Sequence, residues 1–205
     1  MISIINYGVG NLTSILNMFK HLGLKAQITN ELTKIEQSDK LLLPGIGHFD
    51  TCMKNFNDSG LRAVVEKKVF QDKIPTLGIC VGAQMMTYGS DEGQEKGLNW
   101  IEGKTIKFNS LNLPHLKIPH IGWGDISIVE PNVLFNDLPE PSRFYFAHSY
   151  HFELKNYSNI IATCNYGYNF HCAFQTENIF GVQFHPEKSH KFGMKVLANF
   201  AAMQI

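Results

Sequence analysis

The chain has 205 residues, 44% of them hydrophobic and 18% charged, and its 18 basic and 18 acidic side chains cancel to a formal charge of zero. That length and apolar content suit one soluble domain with a sizeable core, and the neutral balance gives no electrostatic reason to expect nucleic acid or an anionic membrane as partner. The N-terminus lacks the basic and apolar stretches of a signal peptide, no run approaches the ~18 apolar residues of a membrane span, and the cysteines at 52, 80, 164 and 172 form no C-x-x-C pair, so the expectation is a cytoplasmic protein with reduced thiols.

In chain order, Ile2-Ser3-Ile4-Ile5 predicts a first strand. The turn Asn6-Tyr7-Gly8-Val9-Gly10-Asn11 follows, then a helix whose apolar face is Leu12, Ile15, Leu16, Phe19 and Leu22, closed by Gly23. Thr13 stands where a dinucleotide loop would carry its third glycine, so the turn reads as a tight connection. Lys25 to Ile28 predicts a second strand, Glu31 to Gln37 a short helix, and Lys40-Leu41-Leu42-Leu43 a buried third strand. Pro44-Gly45-Ile46-Gly47-His48 then forms a loop whose backbone N–H groups can approach a ligand, the kind of donor an oxyanion hole needs. Gly60 to Phe70 reads as helix, Ile74 to Ile79 as strand and Val81 to Tyr88 as helix. Strands alternating with helices predict a mostly parallel sheet covered on both faces, with ligands at the carboxyl ends of the strands.

After Gly97 the texture changes to short strands: Ile101 to Phe108, Asp125 to Val129, Phe144 to Ser149, Ile160 to Cys164, His171 to Gln175 and Ile179 to Phe184. They predict an antiparallel or mixed sheet beside the first, within one domain spanning 1–205, because no linker intervenes. A helix from Ser189 or His190 to Met203 closes the chain.

Chemistry concentrates at Gly78-Ile79-Cys80-Val81-Gly82-Ala83-Gln84, a strand-to-helix elbow with a thiol at its tip, where helix N–H groups and the helix dipole favour a thiolate. A lone cysteine is more often a small buried hydrophobe. Its possible partners lie at Gly181-Val182-Gln183-Phe184-His185-Pro186-Glu187. In an extended segment His185 and Glu187 share a face, and Cys, His and an orienting carboxylate are the parts of a nucleophilic triad. Nine histidines show neither H-x-x-x-H nor H-E-x-x-H, so no metal site is expected, and no cofactor.

The elbow, the Pro44-Gly45-Ile46-Gly47 loop and Gln183-Phe184-His185-Pro186-Glu187, in this order, resemble the class I (triad) glutamine amidotransferases. The match is narrower still. Asn6 to Leu12, Ile118-Pro119-His120-Ile121-Gly122-Trp123, Phe144 to Tyr150 and Pro186-Glu187-Lys188-Ser189 resemble glutaminase subunits of imidazole glycerol phosphate synthases over essentially the whole chain. The resemblance implies hydrolysis of L-glutamine, with ammonia sent to a (β/α)₈-barrel cyclase as heterodimer partner, in histidine biosynthesis. It assigns Cys80 as nucleophile, His185 as base and then acid, and Glu187 as orienter. Val81 and the Gly45, Ile46 and Gly47 loop become oxyanion donors, Gln84, Ser149 and Tyr150 the glutamine pocket, and Asn6, Asn11, Trp123 and Lys188 the partner-facing surface. The chain departs from the family pattern with Ala83 where Met is usual, Gly124 where Asn commonly follows the Trp, and His48 in the loop. His48-Phe49 is similar to related subunits that serve amidination of bacterial surface sugars, which keeps that acceptor open as an alternative. A catalytically silent scaffold is the reading of another class, against which an intact Cys, His and Glu set argues. The loop glycines also allow a peptide to rotate, so the free chain is expected to turn over slowly until a partner binds.

Overall fold

The computed structural model describes residues 1–109, 111 and 115–204. Its first half alternates β1 (Ile2–Ile5), α1 (Leu12–His21), β2 (Ala26–Thr29), α2 (Leu32–Glu36), β3 (Lys40–Gly45), α3 (Phe49–Asp58), α4 (Arg62–Phe70), β4 (Thr76–Cys80) and α5 (Val81–Met85). The second half supplies β5 (Gly103–Lys107), β6 (His120–Ile128), β7 (Arg143–His148), β8 (Tyr150–Leu154), β9 (Ile160–Tyr166), β10 (Tyr168–Thr176), β11 (Ile179–Val182) and α6 (His190–Ala202).

The strands run in the order β2-β1-β3-β4-β11-β10-β9-β6-β7, parallel from β2 to β11 and antiparallel beyond it, with β8 pairing β10 and β5 pairing β8. The antiparallel sheet expected beside the first is therefore joined to it edge to edge, through β11 and β10. Burial explains the split. Every residue of β1, β3, β4 and β11 is buried, as parallel strands covered on both faces must be. On β7 buried and half-exposed residues alternate, the pattern of a strand with one wet face. Helix α1 packs beside α6, α2 beside α4, and α3 on α5.

Two elements lie outside the sequence expectation. Helix α3 buries Phe49, Cys52, Met53 and Phe56, a plain i, i+3, i+4, i+7 face. Strand β8 is a five-residue segment directly after the Ser149 turn. Helix α5, expected to reach Tyr88, stops at Met85 because other groups take its carbonyls. Leu98 N–H donates to Met85 O at 2.7 Å, Trp100 N–H to Met86 O at 2.8 Å, and Thr87 Oγ1 lies 2.8 Å from Gln84 O. Among the described residues no helix is long and apolar enough to cross a membrane.

Candidate active site

Cys80 is the last residue of β4 and the cap of α5, with φ 52° and ψ −116°. A side chain in that region costs of order 1–3 kcal/mol, so the surroundings must impose it. They do so by close approach of backbone to backbone. A Cβ on Gly82 would lie 2.0 Å from Leu43 O, and one on Gly45 would lie 2.2 Å from Gly82 N. The glycines let α5 settle directly onto β3, and the sulfur is left at the tip of the turn. Because α5 has only five residues, its dipole is a weaker aid to a thiolate than a long helix would be. The charge partner has to come from elsewhere.

It comes from the neighbouring strand. β11 runs parallel to β4 with Gly181 opposite Gly78 and Val182 opposite Ile79. Continuing that register sets Gln183 beside Cys80 and carries His185 past the strand ends. His185 Nδ1 lies 2.8 Å from Glu187 Oε1, with the side chains 3% and 1% exposed. The contact is made by a 3₁₀ turn, Pro186–Lys188, and not by an extended segment as the i, i+2 argument supposed. That turn is pinned from three sides. His185 N–H donates to Tyr145 O at 2.9 Å, Ser189 Oγ donates to His185 O at 2.6 Å, and α6 comes so close that a Cβ on Gly193 would sit 1.8 Å from Pro186 O. Burial pushes the His185 imidazole down, but the nearby Cys80 sulfur and then the hydrogen-bonded Glu187 raise it to about 10. The ring is thereby held in its protonated form.

Cys80 opens into a cavity of about 320 Å³ lined by Ile46, Gly47, Val81, Gln84, Ser149 and Tyr150 among others. Gly45 lies within β3, paired with Cys80. Two further walls, Glu92 and His148, were not marked in the sequence. Glu92 follows the elbow helix in Ser90-Asp91-Glu92-Gly93, and an acidic residue in a short turn beside a suspected pocket was the available signal. Its Oε2 accepts Phe49 N–H at 2.9 Å, and His48 Nδ1 accepts Asp50 N–H at 3.2 Å, so both secure the start of α3 just after the glycine loop. His48 thus has a local task, capping α3. Gly124 has one too, since a Cβ there would lie 2.9 Å from Cys164 Sγ and 3.1 Å from the Phe146 ring.

Behind the pocket the buried histidines fix one another's tautomers. Tyr150 O can only accept, so His148 Nδ1, 2.7 Å away, carries its proton. Burial pushes this ring's pKa well below the usual value and keeps it neutral. His148 Nε2 is then the acceptor for His120 Nδ1–H at 3.2 Å. His120 and His151 are likewise pushed down to about 4 by burial.

Ile121, which lines the cavity, is 63% exposed, and Trp123, two residues on along β6, is 44% exposed. Trp123 stacks on His190 at 5.5 Å, and Lys188 Nζ lies 5.5 Å from the centre of the Tyr145 ring. Helix α1, which Asn11 opens, packs on the Pro186–Lys188 turn. Asn6 Oδ1 is engaged locally, accepting Gly8 N–H at 3.2 Å. Among the described residues no group of three or more His, Cys, Asp or Glu is placed to hold a metal ion.

Residues 3–203 match the family described as glutamine amidotransferase class-I. The protein named imidazole glycerol phosphate synthase subunit HisH 2 from Methanococcus maripaludis is 48% identical, over 98% of each chain. The subunit HisH of Bdellovibrio bacteriovorus is 43% identical, over 98% of this chain and 99% of that one. A solved structure described as a glutamine amidotransferase covers 99% of this chain and 100% of its own, with a TM-score of 0.74 at 17% identity, a likeness that speaks to fold alone.

Proposed function

We propose that this chain, which belongs to the class I glutamine amidotransferases, is the glutaminase subunit of an imidazole glycerol phosphate synthase. One observation carries the chemistry. A cysteine in a strained elbow opens into the pocket, and the imidazole beside it is buried and held at 2.8 Å by a buried carboxylate.

The Cys80 thiolate attacks the side-chain carbonyl carbon of glutamine, and the negative charge moves to oxygen. Val81 N–H and an N–H from Ile46 or Gly47 donate to that oxyanion, a contribution typically worth roughly 10² to 10³ in turnover per donor. His185 gives its proton to the departing nitrogen, releasing ammonia and leaving a thioester. It then takes a proton from water, which attacks the thioester and frees glutamate and the thiolate. Glu187 keeps the ring in one tautomer throughout. In the pocket, Gln84, Ser149 and Tyr150 hold the amino-acid end of the substrate, and the Glu92 carboxylate favours its ammonium group.

Ammonia must leave without reaching bulk water, which is the use of a partner at the mouth. We read Ile121, Trp123 and Lys188, with Asn6 and Asn11 beside them, as the surface that docks a (β/α)₈-barrel cyclase. The named relatives favour the histidine pathway over a surface-sugar acceptor. Four free cysteines fit a reducing cytoplasm. The test is to combine the chain with a histidine-pathway cyclase, glutamine and the cyclase substrate, and to measure glutamate and imidazole glycerol phosphate together. Glutamate at background would remove the glutaminase, and glutamate without the imidazole product would remove the pathway.

A further inference from the structure

We propose that Gln183 is a third partner of the nucleophile, its side-chain amide donating Nε2–H to Cys80 Sγ and holding the thiolate against the elbow. This rests on the reading of Cys80 as nucleophile. Gln183 Nε2 lies 3.7 Å from Cys80 Sγ, and its side chain is fully buried. The two ends of an amide have nearly the same shape, so what orients it is the network around it. Here the network begins at a group with no freedom. Tyr150 O can only accept, so Gln84 presents Nε2 to it at 3.2 Å. The same Gln84 nitrogen donates its other hydrogen to Gln183 Oε1 at 3.0 Å. With its oxygen taken, Gln183 has only its Nε2 to turn toward the sulfur. The backbone is fixed as well, since Gln183 N–H donates to Cys172 O at 2.8 Å.

Simple packing does not account for the residue. A methionine would fill the same space without an amide to desolvate, and a buried amide is costly unless it is hydrogen-bonded. The bond to sulfur strengthens when the sulfur is charged, because a hydrogen bond to an ionised acceptor is roughly twice as strong as one to a neutral group. Gln183 therefore favours the thiolate over the thiol, and it does so from the side of the sulfur that the strand register assigns to it.

The experiment follows the rate of Cys80 alkylation by iodoacetamide against pH, read by mass spectrometry of the Cys80 peptide, in the wild type, Gln183→Met and Gln183→Glu. The first variant removes the donor. The second also lacks the donor and keeps an acceptor for Gln84, but its carboxylate repels the thiolate by itself, so its shift should be at least as large as that of Gln183→Met. All other titratable groups about the sulfur stay in place: His185 and Glu187 beyond β11, Tyr7 after β1, Cys52 on α3, Glu92 after α5 and His148 on β7. We expect the alkylation midpoint to rise by about one pH unit or more in both variants, a roughly tenfold slower reaction below it. The acid limb of glutamine turnover should move with it. Folded variants with the wild-type midpoint overturn the inference, and if Gln183→Met does not fold, Gln183→Leu, neutral and equally without the donor, decides. Should Cys80→Ala keep its turnover, the reading of the nucleophile fails instead; a dead Cys80→Ala beside an unmoved midpoint removes only the role of Gln183.

Discussion

The buried histidines make stability acid-sensitive in a window that can be worked out. His120 and His151 titrate at about 4 in the fold because burial disfavours their charged forms, and an unfolded histidine titrates near 6.5. Between those values the unfolded chain binds protons that the native one does not. Their stabilising contribution is therefore whole above about pH 6.5 and is lost as pH falls toward 4. At about 1.4 kcal/mol per pH unit, acidification from about pH 7 to about pH 5 costs about 2 kcal/mol per ring and about 4 for the two, a large share of the 5–15 kcal/mol typical of a domain. His148 acts in the same direction. His185, raised to about 10, opposes the trend only slightly, because its contribution falls away between about 6.5 and 10 and is already nearly whole at about pH 7. Urea midpoints at the two pH values measure the loss, and His120→Phe should reduce it by one ring's share. That ring stacks between Phe146 at 4.8 Å and Tyr166 at 3.9 Å, so phenylalanine keeps the stack and removes the titration. Equal wild-type midpoints at both pH values, or an unreduced loss in His120→Phe, would refute the reasoning.

Cys80→Ala should abolish glutamine-dependent synthesis by the complex while sparing ammonia-dependent synthesis, since free ammonia bypasses the thioester; loss of both in the two assays would make Cys80 structural. Gly82→Ala drives a Cβ to within 2.0 Å of Leu43 O, backbone against backbone, so we expect a loss of ~3 kcal/mol or more in urea denaturation together with loss of turnover. A stable, active Gly82→Ala would show that α5 can lift from β3 at little cost. The free chain should turn over at least about a hundredfold more slowly than the liganded complex, matching one missing oxyanion donor, and equal steady-state rates would contradict it.

The parallel half was legible because buried strands and helices there follow their own periods, and the elbow was legible because Cys80 stands between glycines on an apolar run. Helix α3 is equally periodic at Phe49, Cys52, Met53 and Phe56, a face that the sequence shows as plainly as the others. Other parts could not be read locally. Gln183 meets Cys80 only through the β4–β11 register, across 103 positions of sequence. Glu92 enters the pocket because its carboxylate is tied to Phe49 N–H, an interaction between two loops. The shape of the Pro186–Lys188 turn depends on Tyr145, Ser189 and the approach of Gly193, none of which the His-Pro-Glu spacing implies.

The same contacts narrow where a switch could reside. Gly45 is locked in register opposite Cys80, and the chain from His48 onward is fastened by the cap on α3 and by Glu92. Between them lies the Ile46–Gly47 peptide, with Ile46 46% exposed at the pocket mouth and Gly47 at φ 89°, where glycine is unstrained. Its carbonyl side is held by Cys52 Sγ at 3.4 Å, a weak sulfur donor whose loss costs little. Rotation of this one peptide would move an N–H toward or away from the oxyanion position and leave Cys80, His185 and Glu187 where they are. A partner seated over Ile121 and Trp123 also covers the pocket that Ile46 and Ile121 line together. The proposed docking surface and the Ile46–Gly47 peptide are therefore adjacent, and a partner could favour one peptide orientation through Ile46 with no rearrangement of the sheet.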